Sequence, residues 1–137
     1  MKDQACICTH VRRGARSLSA LYDEALSPAH INVAQFSLLR YVERLAPIAV
    51  SDLARATGHE RSTLARSLHP LAADGRILIR PGRDRRQRVV TLTPTGRVTL
   101  DTALPYWREA QREVDTRLGG RQRQLLSLLA DLEGVTP

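Results

Sequence analysis

Lysine is almost absent from this chain: Lys2 stands alone against twenty arginines, so nearly every positive charge is a planar, permanently ionised guanidinium. Cysteine is equally scarce. Cys6 and Cys8 are separated by one residue and cannot easily bridge each other in regular structure, so a secreted disulfide framework is not expected. Only five aromatic residues occur (Tyr22, Phe36, Tyr41, Tyr106 and Trp107), so the core has to be aliphatic. No stretch approaches the roughly 18 consecutive apolar residues of a membrane span, and the first 20 residues lack an apolar segment with a cleavage site. A cytoplasmic protein with no membrane partner is expected. Catalytic groupings are missing too. No Ser/His/Asp set, Cys/His dyad at helical spacing or phosphate-cradling glycine loop is visible, so neither an enzyme nor a cofactor is expected. There is no internal repeat and no low-complexity segment.

With 137 residues, 42% hydrophobic and 26% charged, the chain fits one globular domain. Leu and Ala recur at three- and four-residue spacings, which predicts a mainly α protein. Asp3 can cap a first helix over 4–27 carrying Ile7, Val11, Ala15, Leu18, Leu21, Tyr22 and Ala25, ended by Ser27-Pro28. Asn32 and Gln35 have capping-box spacing before a second helix, 33–45, with Phe36, Leu38, Leu39, Val42 and Leu45 turned inward. After the apolar run 48–50, a two-turn helix from Ser51 to Thr57 stops at Gly58, and a fourth runs from about Glu60 to Asp74 before Gly75. Two helices joined by a tight glycine turn make a helix-turn-helix. Residues 77–80 and 88–92 then read as a hairpin. Thr93 as cap and Pro94 as first helical residue predict a fifth helix over 94–118, bent at Pro105, and a sixth over 121–132 follows Gly119-Gly120. The apolar faces of the first, fifth and sixth helices exceed what the central module can cover, so a second copy of the chain is expected to cover them.

Charge is concentrated in the middle of the chain. Between Arg55 and Arg88 lie nine arginines against Glu60, Asp74 and Asp84, a positive field suited to polyanions, of which nucleic acids are the commonest inside cells. On the fourth helix Ser62, Arg66 and His69 share one face while Leu64, Leu68 and Leu71 share the other. Small hydroxyls at Ser62 and Thr63 permit close approach to base edges, and Arg66 is able to bond guanine bidentately. The hairpin that follows sets Arg80, Arg83, Arg85, Arg86 and Arg88 within nine positions. Arginine suits the enhanced negative potential of a narrow minor groove, so the hairpin reads as a wing beside a recognition helix. Asp84 is out of place there unless its carboxylate orients a neighbouring guanidinium fork.

The stretch "SDLARATGHERSTLARSLHPLAADGRILIRPGRDRRQRVVTLTPTG", residues 51–96, resembles the winged helix of the MarR (multiple antibiotic resistance regulator) family. The shared features are Arg61-Ser62-Thr63 with Arg66 on the recognition helix, Asp84-Arg85-Arg86 in the wing, and Leu92-Thr93 with Gly96 opening a long helix. "QFSLL" at 35–39 extends the likeness over most of the chain. The resemblance implies one domain, 1–137, in which 33–92 form the DNA-binding winged helix-turn-helix and 4–27 and 94–133 form dimerisation helices. It implies a homodimer on a pseudo-palindromic operator in double-stranded DNA, usually as a repressor. Wing contacts fall on Asp84 and Arg86 with Arg83, Arg85 and Arg88 beside them, and groove contacts on Arg61, Ser62, Thr63 and Arg66. Two departures stand out: Ala49 where the family often caps with Thr, and Pro70 inside the recognition helix, expected to bend it away from the groove.

Members of that family commonly answer to a small-molecule effector or to oxidation of a cysteine. Cys6 or Cys8, near a helix start and beside Arg12 and Arg13, would suit a redox sensor if its thiolate were favoured. The competing reading is a cysteine that only packs. A metal held by Cys6, Cys8 and His10 would need an extended segment and a further ligand, and no metal site is expected. Two alternative functions remain at this level, a basic module binding nucleic acid without sequence preference and a winged helix used for protein contacts.

Overall fold

The computed structural model describes residues 5–135. Six helices and three short strands follow in order: α1 (Ile7–Leu26), α2 (Val33–Leu45), β1 (Ile48–Ala49), α3 (Val50–Thr57), α4 (Arg61–Ala73), β2 (Ile77–Pro81), β3 (Arg88–Leu92), α5 (Pro94–Leu118) and α6 (Gln122–Leu132). The expected cap Asp3 lies outside the described residues. α1 starts three residues later than expected, after Cys6, whose backbone is extended. It gives way at Ser27 to a 3₁₀ turn, Ser27–Ala29, closed by His30 in the left-handed region at φ 58°.

α2 opens with the anticipated capping box. The Gln35 amide donates to Asn32 Oδ1 at 2.8 Å, and the Asn32 amide donates to Gln35 Oε1 at 3.0 Å. A third amide of this helix start, that of Val33, donates to the Asp23 carboxylate of α1 at 2.8 Å. Donors that a helix N-terminus leaves orphaned are therefore satisfied from within and from the preceding helix.

The hairpin is larger than expected. Ile48 and Ala49 form a third strand, giving the order β1-β3-β2, all antiparallel, with Ile48 opposite Val90 and Ala49 opposite Val89. Two residues are too few for any periodicity to announce them, and their partner lies some forty residues away. Pairing β1 also moves the start of α3 to Val50, with Ala49 lacking a side-chain cap bond.

The core gathers at the centre of the molecule. Phe36, Leu38, Leu39 and Val42 of α2, Leu53 of α3, Leu64, Leu68 and Leu71 of α4, Ile77 and Val90 of the sheet and Leu100 and Ala103 of α5 are all buried. Leu45 is not: it stands 42% exposed in the last turn of α2, where the chain leaves the core towards Pro47. α4 carries Pro70, and α5 carries Pro105, inside continuous helix.

α5 starts by direct contact with the end of the helix-turn-helix. The Gly96 amide donates to Thr93 Oγ1 at 3.0 Å, and that hydroxyl donates to the Gly75 carbonyl at 2.5 Å. A Cβ at Gly96 would collide with the Arg76 carbonyl oxygen and press on Leu92. Glycine is needed at that position for close approach, not for an unusual φ.

At the two ends packing is sparse. Ile7, Val11 and Leu18 of α1 are exposed, α6 buries no residue, and Leu126, Leu128 and Leu132 face solvent. Among the described residues, no helix is long and apolar enough to cross a membrane.

Candidate nucleic-acid interface

α4 divides as its sequence predicts. Leu64, Leu68 and Leu71 are fully buried, whereas Arg61, Ser62, Thr63, Arg66 and His69 are exposed. Burial of the leucine stripe fixes the rotation of the helix, and that rotation presents the opposite face outward. Gly58, at φ 74°, caps α3 in the left-handed region and turns the chain into α4 within three residues. Arg61 and Arg66 make no ion pair among the described residues, so both guanidinium groups are available to an incoming anion.

The wing tip is organised by its backbone. Gly82 donates to the Gln87 carbonyl at 2.8 Å and Gln87 donates to the Asp84 carbonyl at 2.9 Å. Asp84 Oδ1 accepts the Arg86 backbone N–H at 3.1 Å. The expectation that Asp84 orients an arginine fork is therefore corrected: its carboxylate closes an Asx-type turn, because a backbone donor two residues on is nearer than any exposed, flexible guanidinium. Arg83, Arg85, Arg86 and Arg88 are all exposed, and none is paired with a carboxylate among the described residues. Charge left uncompensated at a tip costs little in water and is fully available to a phosphate.

Two residues beside this surface were not singled out by sequence. A recess of about 680 Å³ next to the N-terminus of α4 is lined by Ser51, Arg55, Gly58, His59 and Arg61. Arg55 and His59 belong to the helix-turn-helix surface although no motif marked them. The signal available was their position flanking the Gly58 turn. Arg55 is tied by an ion pair to Asp52 within α3, unlike the wing arginines.

The other predicted site lies elsewhere. Cys6 and Cys8 are free and exposed, at the start of α1. The Cys6 thiol is held below its ordinary value by the Thr9 backbone amide first, then the Thr9 hydroxyl and the Cys8 amide. Those are the free donors of a helix start, so the cause differs from the expected neighbours Arg12 and Arg13. Between α1 and α5 runs a further cavity of about 500 Å³, lined by Leu21, Glu24, Ala25, Glu109, Ala110 and Glu113 among others. Nearby the Tyr22 hydroxyl donates to Gln111 Oε1, and burial raises the pKa of that phenol.

The sequence pattern of the MarR family matches residues 30–87. Among solved structures, the Mycobacterium tuberculosis transcriptional regulator MosR in complex with DNA is 36% identical, with 93% of each chain covered and a TM-score of 0.87. A second structure of MosR is 34% identical over 94% of this chain and 96% of that one, with a TM-score of 0.80. A probable transcriptional regulator from Pseudomonas aeruginosa is 26% identical over 95% and 97%, with a TM-score of 0.84. No curated protein matches.

Proposed function

The chain belongs to the MarR family of transcriptional regulators, and from that premise we propose that it binds double-stranded DNA sequence-specifically, as a cytoplasmic homodimer on a pseudo-palindromic operator. The observation that carries the reading is the pairing of an outward polar face on α4 with an adjacent tip of four unpaired arginines. The roles proposed for each residue are supported by its placement and its chemistry. Ser62, Thr63 and Arg66 read base edges in the major groove, with Arg61 at the phosphate beside the helix start. Arg83, Arg85, Arg86 and Arg88 engage the backbone and the flanking minor groove, and Asp84 holds their turn in shape.

The dimer rests on the uncovered apolar faces of α1 and α6, each of which finds in a second copy the partner it lacks in one protomer. Residues 33–92 are thus the reading head, and the helices before and after it are the dimerisation scaffold. Regulation as a repressor, relieved by a small ligand or by oxidation of Cys6 or Cys8, is supported by the cavity between α1 and α5 and by the exposed, acidified Cys6 thiol.

The test is specificity at fixed salt. Duplexes enriched from a random pool should bind about 10³-fold or more above the unselected pool. A ratio near one would favour the basic module without sequence preference, and no duplex affinity at all would favour a protein-contact role. Repeating the titration after peroxide treatment examines the redox arm: unchanged affinity with both thiols modified removes it.

A further inference from the structure

Arg76 sits between α4 and β2, and its side chain is only 13% exposed. Its carboxylate neighbour, Asp74, is 3.7 Å away and itself 57% exposed, a loose partner for so sheltered a cation. Withdrawing a guanidinium from water costs stability unless its donors are satisfied. Its second acceptor lies far back in the chain: Nη2 donates to the His30 carbonyl at 3.2 Å. His30 is the one non-glycine residue with positive φ among those described, and it turns α1 into α2. Asp23 braces the same corner through the Val33 amide.

The backbone of Arg76 reaches the opposite side. Its carbonyl accepts the Thr93 N–H at 3.2 Å and packs against Gly96, at the corner where β3 becomes α5. The chain passes between the central module and the end helices at two places only, the α1–α2 corner and the β3–α5 corner. Arg76 is bonded to both, by its side chain to one and by its backbone to the other.

We propose that Arg76 is a positioning residue which fixes the angle between the reading head and the dimerisation helices, and so sets the half-site spacing that the dimer accepts. The inference rests on the dimeric DNA-binding reading above. A two-fold dimer reads half-sites at one separation, and one added base pair displaces the second half-site by about 3.4 Å and rotates it by roughly 35°. A stiff joint makes that mismatch costly, whereas a compliant joint absorbs part of it. The side chain of Arg76 stiffens the joint across the His30 corner without needing to touch DNA.

The test uses the full chain and a duplex enriched from a random pool by the wild-type protein, with variants whose centre is one base pair longer or shorter. Wild type is expected to lose about tenfold or more in affinity on either change. Arg76→Met keeps the aliphatic stem but removes every donor. It should cut that spacing ratio at least threefold, while affinity for a duplex with a single half-site changes by less than twofold. Arg76→Lys, which satisfies one acceptor at a time, should fall between, and it carries the comparison if Arg76→Met shows no cooperative thermal unfolding. Wild-type spacing ratios in folded, dimeric variants would overturn the inference, as would single-half-site affinity falling in parallel with the ratio. Failure of the wild-type protein to enrich any sequence would instead overturn the regulator reading, and this inference with it.

Discussion

The reading head and the end helices are built from the same aliphatic residues, yet they treat them in opposite ways. In the head Leu53, Leu64, Leu68 and Leu71 are completely buried. In α6 Leu128 is 57% exposed, and in α1 Ile7 is 72% exposed. The first region closes its core within one chain, whereas the second leaves apolar faces uncovered, the faces on which the proposed dimer rests. What differs is not composition but whether a complementary face is found within the same polypeptide.

Breaking the head should have the largest consequence. Leu68→Ala leaves a cavity in a close-packed site and is expected to cost about 2–5 kcal/mol, read by chemical denaturation. A cost below about 1 kcal/mol would mean that the head is looser than its burial implies. The scaffold should fail differently. Leu128→Asp with Leu132→Asp places charges on a face that is solvated in one protomer and is buried in the proposed dimer. Sedimentation equilibrium should show dimer dissociation strengthened at least about a hundredfold, with helix content by circular dichroism nearly unchanged in the separated chains. Retention of the dimer would remove α6 from the interface.

A smaller effect separates the regions electrostatically. Arg86→Ala and Arg108→Ala remove the same charge, one from the wing and one from exposed α5. Arg86→Ala should lower the salt slope of duplex affinity by about one unit, the signature of one phosphate contact, whereas Arg108→Ala should leave it unchanged. Equal slopes for the two variants would detach the wing from the backbone. The smallest effect concerns the thiols. A lowered pKa keeps more of Cys6 as thiolate at neutral pH than an unperturbed cysteine would hold. Alkylation of a Cys8→Ser variant, which leaves Cys6 as the sole thiol, should accordingly outpace that of N-acetylcysteine by a few fold near pH 7, the advantage shrinking as pH rises towards 9. A rate equal to that of N-acetylcysteine at pH 7 would remove Cys6 as the favoured sensor.

Sequence made the head legible wherever local chemistry decides the outcome. Asn32 and Gln35 announced a capping box, Thr93-Pro94 announced α5, and the spacing of Leu64, Leu68 and Leu71 determined which face of α4 looks outward. It was silent where the outcome depends on distant partners. β1 exists because Val89 and Val90 lie opposite it, which a two-residue run cannot signal. Asp84 looked like a partner for arginine because composition ranks charges, whereas geometry placed a backbone amide closer. Arg76 drew no attention, since nothing local reveals that its guanidinium meets a carbonyl 46 residues away. The motif glycine at 96 was visible, but its reason, an oxygen of Arg76 where a methyl would otherwise stand, required the folded chain.

α5 is one continuous helix of 25 residues, with Pro105 inside it, whose first turns are part of one region and whose last turns are part of the other. At 1.5 Å per residue it is about 37 Å long, so a tilt of only some 5° at one end sweeps the far end through about 3 Å. That arc is close to the rise of a single nucleotide step. A perturbation too slight to disturb any packing contact can therefore be amplified by leverage alone into a displacement on the scale of the genetic text being read.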